Sequence, residues 1–118
     1  MSKVAIVVLA DTEGGEGLGR IVNALTAVKE FKESGDDVQL IFSGAGTKWV
    51  GQLANPEFDF HGLYLEVKDN VVGACGFCAS AFEAADSVKD AGVCMLDDYG
   101  ANMSYRKLIN DGFHVLTF

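Results

Sequence analysis

The chain is 118 residues long, 49% hydrophobic and 22% charged, the balance of a globular protein with a single core and little room for a second. Nine Lys+Arg stand against 17 Asp+Glu, a net charge of −8 with no cluster of cations, which argues against a phosphate backbone or an anionic membrane surface as partner. One proline, Pro56, and no polar low-complexity tract speak against a disordered linker or tail, so residues 1–118 are expected to form one domain.

Val4–Leu9 (VAIVVL) is a continuous apolar run, the pattern of a strand covered on both faces. It is too short to span a bilayer, and the acids Asp11 and Glu13 that follow do not suit a signal peptide. Asp11–Gly17 reads as a glycine- and acid-rich loop. Leu18, Ile21, Val22, Leu25, Val28 and Phe31 then recur at helical spacing, with Gly35 as the stop. Val38–Phe42 is a second strand and Ser43–Thr47 a second glycine loop. Trp49, Val50 and Leu53 predict a short helix ending before Asn55-Pro56. Phe60, Leu63, Tyr64 and Val67 suit another helix, although Leu63, Leu65 and Val67 also alternate.

Val71–Cys75 is a third strand, running into Gly76. Ala81, Phe82, Ala85 and Val88 mark a helix that stops at Gly92. Val93–Leu96 is a fourth strand with Cys94 in its interior as a core residue, and Asp97–Met103 is a loop. Ser104 is placed to N-cap a helix through Asp111, and Phe113–Phe118 is a final strand. Five β segments separated by helices predict an α/β fold: a three-layer α/β/α domain around a mostly parallel five-stranded sheet. In such sheets ligands bind beyond the carboxyl ends of the strands. Asp11–Gly17, Ser43–Lys48, Cys75–Ala79 and Asp97–Gly100 are therefore the loops where chemistry is expected.

The first loop has the glycine spacing of a phosphate-binding loop over Gly14–Gly19, but Arg20 and Ile21 stand where the lysine and the Mg²⁺-binding hydroxyl are required. Its acids would repel a triphosphate, so nucleotide hydrolysis is not expected. In the second loop, Gly44, Gly46, Thr47 and Lys48 offer backbone N–H groups and a cation before a helix, a candidate crevice for a small anion. Trp49 beside it either flanks a ligand or packs.

Cys75-Gly-Phe-Cys78 is the most informative segment: a CxxC where a strand turns into a helix. The thiolate is the reactive form of cysteine, and a helix N-terminus stabilises it; on this ground alone Cys78, near the first turn, is favoured. Ala79, Ser80 and Ala81 are small and leave access, and Ser80 is a possible cap. Thioredoxin-like exchange wants a proline downstream of the cysteines, whereas Pro56 precedes them. Zinc wants a second clustered pair, whereas Cys94, His61 and His114 are scattered; no metal and no cofactor are implied. The alternative is two buried thiols used as small hydrophobes. An odd count of three cysteines without a leader pattern reads as a protein of the reducing cytoplasm. Asp97-Asp98-Tyr99 is equally a source of a general acid and a solvated turn, and neither histidine sits in a motif.

The opening strand VAIVVLAD, the segment EGLGRIVNALTAVKEFKESG, the strand and turn VQLIFSGAG, the ACGFCA segment and the closing GFHVLTF together resemble the DsrE/DsrF-like family, with its YchN-like fold, over nearly the whole chain. The resemblance implies a small sulfur-relay protein that assembles as a homo-oligomer, commonly a trimer or hexamer. It also implies a cysteine that carries sulfur as a persulfide between donor and acceptor proteins. The position matching the acceptor cysteine is Cys75, with Cys78 as the second of the pair. Where many relatives carry Arg-Gly in the following helix, this chain has Phe82-Glu83. Exposed aromatics such as Trp49, Phe58 and Phe60 are expected to serve the oligomer. The leading expectation is thus a sulfur carrier or sulfurtransferase-like protein acting through Cys75 and Cys78. A non-catalytic oligomeric module binding an anion at Gly44, Gly46, Thr47 and Lys48, and a thiol redox switch, are the alternatives.

Overall fold

In the computed structural model, which describes residues 1–118, the five strands form one all-parallel sheet: β1 Lys3–Val8, β2 Asp37–Phe42, β3 Val71–Cys75, β4 Met95–Leu96 and β5 His114–Thr117. Their order in space is β4-β3-β2-β1-β5. Six α-helices connect them: α1 Gly14–Glu33, α2 Trp49–Ala54, α3 His61–Val67, α4 Gly76–Ala81, α5 Ala85–Asp90 and α6 Tyr105–Asn110. The chain steps from β1 to β4 in one direction and then returns past β1 to β5. Right-handed crossovers put connections made in one direction on one face and the return connection on the other.

The layers are accordingly unequal. The register Val4↔Val38, Ile6↔Leu40, Val8↔Phe42 aims these side chains at α1, α2, α3 and α5. Ile21, Leu25, Val28, Trp49, Leu53, Tyr64, Val67 and Val88 complete that larger core. Ala5, Val7, Ile41 and Cys75 point the other way, onto Met103, Leu108 of α6 and Phe113. The result is the three-layer α/β/α architecture, with one layer reduced to a single short helix. No helix is long and apolar enough to cross a membrane.

Several elements differ from the sequence reading. Helix α1 starts at Gly14, so most of the first glycine loop is its opening turn. Gly17 lies so near the end of β1 that a Cβ there would stand 2.2 Å from the Asp11 carbonyl oxygen. Residues Gly44–Lys48 are not an open loop but a 3₁₀ turn feeding α2. Trp49 is not an exposed aromatic: it is 1% exposed, its indole N–H donates to the Ala10 carbonyl at 3.0 Å, and it stacks at a tilt on Phe58, which meets Phe60 edge-on. The alternating stretch at 63–67 is helical, with Tyr64 and Val67 buried and Leu65 exposed. Strand β4 shrinks to two residues, and Cys94 is exposed rather than a core residue, because the edge of the sheet leaves that side open.

The single helix expected around Ala81–Val88 is two. α4 ends where the Phe82 and Ala84 N–H groups turn back onto Cys78 and Ala79, and Glu83 takes φ 56° between them. That left-handed conformation costs a side-chain-bearing residue about 1–2 kcal/mol. Glu83→Gly is expected to raise stability by about 1 kcal/mol, read as a higher midpoint in urea; an unchanged or lower midpoint would show the turn unstrained. Ser104 caps α6 as anticipated, accepting from the Lys107 N–H at 3.1 Å.

Candidate functional site

Strand β3 ends in the buried run Gly73-Ala74-Cys75. Gly73 is required because β4 comes close: a Cβ there would lie 2.6 Å from the Cys94 carbonyl oxygen. Cys75 is 1% exposed, on the thin-layer face of the sheet, and it occupies the N-cap position of α4. Cys78, in the first turn of α4, is part-exposed above it, and no disulfide joins them. Ser80 lies inside α4 and does not cap it.

Two segments close around the two sulfurs. Ser43, at the end of β2, is buried, with its Oγ 3.7 Å from Cys78 Sγ. The Gly44 N–H faces the same sulfur. From the far side, Tyr99 and Asn102 exchange backbone hydrogen bonds at 2.8 and 2.9 Å around a tight turn. Gly100 supplies the positive φ (59°) which that turn needs at its first central position. This turn is fastened to α4 by the Phe77 N–H donating to the Ala101 carbonyl at 2.8 Å. It brings the Met103 N–H toward Cys75, and Asn102 Oδ1 to 3.7 Å from Cys75 Sγ, where it accepts from the thiol.

Burial alone raises the pKa of both thiols, yet the two part company. At Cys75 the N–H groups of Cys78 and Met103, helped by the Cys78 thiol and the Ser43 hydroxyl, outweigh burial and hold the pKa below the ordinary cysteine value. These N–H groups face the sulfur without forming a strict capping bond. At Cys78, burial and the neighbouring Cys75 sulfur push the pKa up, despite Gly44 and Ser43. The helix-terminus argument had favoured Cys78. The geometry favours Cys75, because a side chain at the N-cap meets the N–H of the third helical residue, whereas a residue within that turn points away from it.

The other expected site residues fall elsewhere. Of the crevice residues, Gly44 adjoins the cysteines. Gly46 sits against the end of β1, where a Cβ would be 2.0 Å from the Val8 carbonyl oxygen. Thr47 is buried and donates to the Gly44 carbonyl at 2.9 Å, and Lys48 pairs with Asp11 at 2.9 Å. That hydrogen bond holds the Asp11 carboxyl below its usual range and Lys48 above its own. Asp98 pairs with Lys107 at 3.2 Å, and Tyr99 is exposed. His61 Nδ1 lies 2.6 Å from the Leu53 carbonyl oxygen, and His114 is exposed on β5. No three His, Cys, Asp or Glu side chains converge on a point that would hold a metal ion.

Sequence reasoning did not single out Ser43, Asn102 or Met103. Ser43 carried a weak signal, its place at a strand's carboxyl end. Met103 acts through its backbone and leaves none.

No family model matches the chain. It is 26% identical over 96 residues to the uncharacterized protein MJ0733 of Methanocaldococcus jannaschii, an overlap covering 81% of this chain and 78% of that one. Among solved structures, the conserved protein of unknown function BT1422 from Bacteroides thetaiotaomicron superposes with a TM-score of 0.63 at 16% identity, over 97% of this chain and 94% of that one. The likeness to BT1422 is one of fold, the same α/β architecture over almost the full length.

Proposed function

We propose that this chain is a sulfur carrier or sulfurtransferase of the DsrE/DsrF-like kind, working as a homo-oligomer in a reducing cytoplasm, with Cys75 as the residue that takes up sulfur. The observation that carries this reading is the environment of Cys75: a sulfur at a strand's carboxyl end, faced by two backbone N–H groups and held more acidic than an ordinary thiol. Many members of the DsrE/DsrF-like family place Arg-Gly after their cysteine. Here the cation's task, holding a negative sulfur, falls to backbone N–H groups, and Glu83 adopts the left-handed φ that a glycine there would take without strain.

In the loading step the Cys75 thiolate attacks the outer sulfur of a donor persulfide. An S–S bond forms to Cys75, the donor's S–S bond breaks, and the donor thiolate leaves with its electron pair. An acceptor thiolate reverses the step. Alternatively, the Cys78 thiolate attacks the inner sulfur, releasing hydrosulfide and leaving a Cys75–Cys78 disulfide, which a dithiol then reduces.

The test is mass spectrometry of the reduced protein after incubation with a persulfide donor and removal of excess. A gain of one sulfur atom mapped to the Cys75 peptide is expected. A Cys75–Cys78 disulfide formed without any persulfide would favour the redox switch, and an unmodified Cys75 would remove the carrier reading.

A further inference from the structure

The thin layer leaves part of the sheet uncovered. Helix α6 is six residues long, and beside it a cavity of about 180 Å³ opens between the helix and strands β2–β4. Its apolar walls are Ile41, Leu96, Met103, Leu108 and Phe113. Two local features make the room. Gly73 stands opposite Ile41 with no side chain of its own, and Leu96 lies across it: a Cβ at Gly73 would be 2.7 Å from Leu96 Cγ. Val72 falls where the register slips between Leu40 and Ile41, so it has no partner on β2. Val72, Lys107 and Asp111 line the cavity and are exposed, so it opens to solvent on that side.

Gln39 is the one amide side chain in these walls. It interrupts the apolar strand β2 and lies two residues before Ile41, hence on the same face. Ala5, its neighbour on β1, is too short to cover it. Gln39 is half-buried, and its carboxamide has no hydrogen-bond partner within the chain. The charges around it are accounted for. Lys107 pairs with Asp98 at 3.2 Å, and Lys3 donates to the Asp111 carbonyl, which sets a cation beside that carboxylate.

We infer that this cavity binds a small neutral ligand of one ring with an amide or lactam edge, held by Gln39. The volume sets the size: an apolar cavity of about 150 Å³ takes a benzene ring. The carboxamide sets the edge. It presents an N–H donor and a carbonyl acceptor side by side, and an amide or lactam answers both at once, as a nucleobase edge does to glutamine. A carboxylate offers no donor to the Gln39 oxygen, an ammonium offers no acceptor to its N–H, and the rim holds no uncompensated charge for either. The site is separate from the sulfur chemistry. Cys75 does not line the cavity; Met103 is shared, lining it while its N–H faces Cys75.

The test titrates the isotope-labelled full chain with benzamide, benzoate and benzylamine and follows the backbone amide resonances. Benzamide is expected to give saturable shifts centred on Gln39, Ile41, Leu96 and Leu108. It is expected to bind about tenfold more tightly than either charged analogue, the worth of one hydrogen bond. Gln39→Leu is close in volume and removes the polar edge. Benzamide is expected to bind that variant about tenfold more weakly, while toluene, which uses only the ring, binds variant and parent alike. Val72→Trp, at the exposed mouth, is expected to shut out both ligands with the fold intact. Absence of any saturable shift, equal binding by benzoate, or unchanged benzamide affinity in Gln39→Leu would overturn the inference. So would a cavity already filled by a second copy, seen in sedimentation as a dimer that Val72→Trp breaks and that benzamide does not enter.

Discussion

Cys75→Ser is expected to abolish sulfur loading at the CxxC, while Cys78→Ser keeps it. The serine hydroxyl at position 78 preserves a donor near the Cys75 sulfur, and the backbone N–H groups that lower its pKa are untouched. The opposite pattern, loading lost with Cys78→Ser and kept with Cys75→Ser, would assign the chemistry to the other sulfur. The pH dependence has a fixed sign. Alkylation of Cys75 rises with pH through a midpoint below that of a free cysteine, about 8.5. By linkage, ionisation of Cys75 adds stability as pH climbs past its folded pKa, and that increment is complete above the unfolded value; it is lost again as pH falls through the folded pKa. Asn102→Asp sharpens the test. The amide oxygen already lies 3.7 Å from Cys75 Sγ, and a carboxylate there sets a like charge against the thiolate. The thiolate fraction near neutral pH is expected to fall about tenfold, with the loading rate following it. An unchanged alkylation profile would mean that Asn102 does not face the reacting sulfur.

Gly46→Ala is expected to cost at least about 2–3 kcal/mol, because the new methyl group would stand 2.0 Å from the Val8 carbonyl oxygen and 2.6 Å from its carbon. Those atoms are strand backbone, locked in place by the Ser43 N–H bond to the Val8 oxygen at 2.9 Å, so neither side gives way cheaply. Gly19→Ala is the matching control. It lies within α1 with nothing inside 4 Å of the added carbon, and it is expected to gain about 0.5–1 kcal/mol from helix propensity. Urea denaturation of both variants reads the contrast. A Gly46→Ala protein as stable as the parent would show that the second glycine turn is not pressed against β1, and would return its glycines to a ligand-binding role.

The strands were legible because burial on both faces writes itself as apolar runs: Val4–Leu9 is uninterrupted, and Val38–Phe42 is broken only by Gln39. Val93–Leu96 looks the same but lies at an edge, where a run of four apolar residues yields two paired ones and an exposed Cys94. Glycine misled twice. Gly14–Gly17 were read as loop when Gly17 is there for a helix turn to approach Asp11, and Gly44–Lys48 were read as a flexible crevice when Gly46 is there for contact with Val8. The break at Glu83 carries no glycine or proline to announce it, so the two short helices read as one.

The location of the candidate site followed from the CxxC at a strand end. Which sulfur ionises did not, because the deciding N–H groups belong to backbone, and one of them comes from Met103, a residue remote in sequence. Of the readings of Trp49, packing holds and exposure does not, because its partner, the Ala10 carbonyl, is a long-range contact that no local pattern reports.

The return of the chain to β5 has a consequence for assembly. Val4 pairs with His114 and Val7 with Thr117, and the Leu9 and Ala10 N–H groups both find the Phe118 carbonyl, at 2.7 and 3.1 Å. These bonds join residues at opposite ends of the sequence, the kind of pairing whose loop-closure cost slows folding. Until it is made, one flank of β1 shows a row of unsatisfied amides beside the bare underside of Ala5 and Val7. In concentrated refolding mixtures that flank is where one chain would stick to the next.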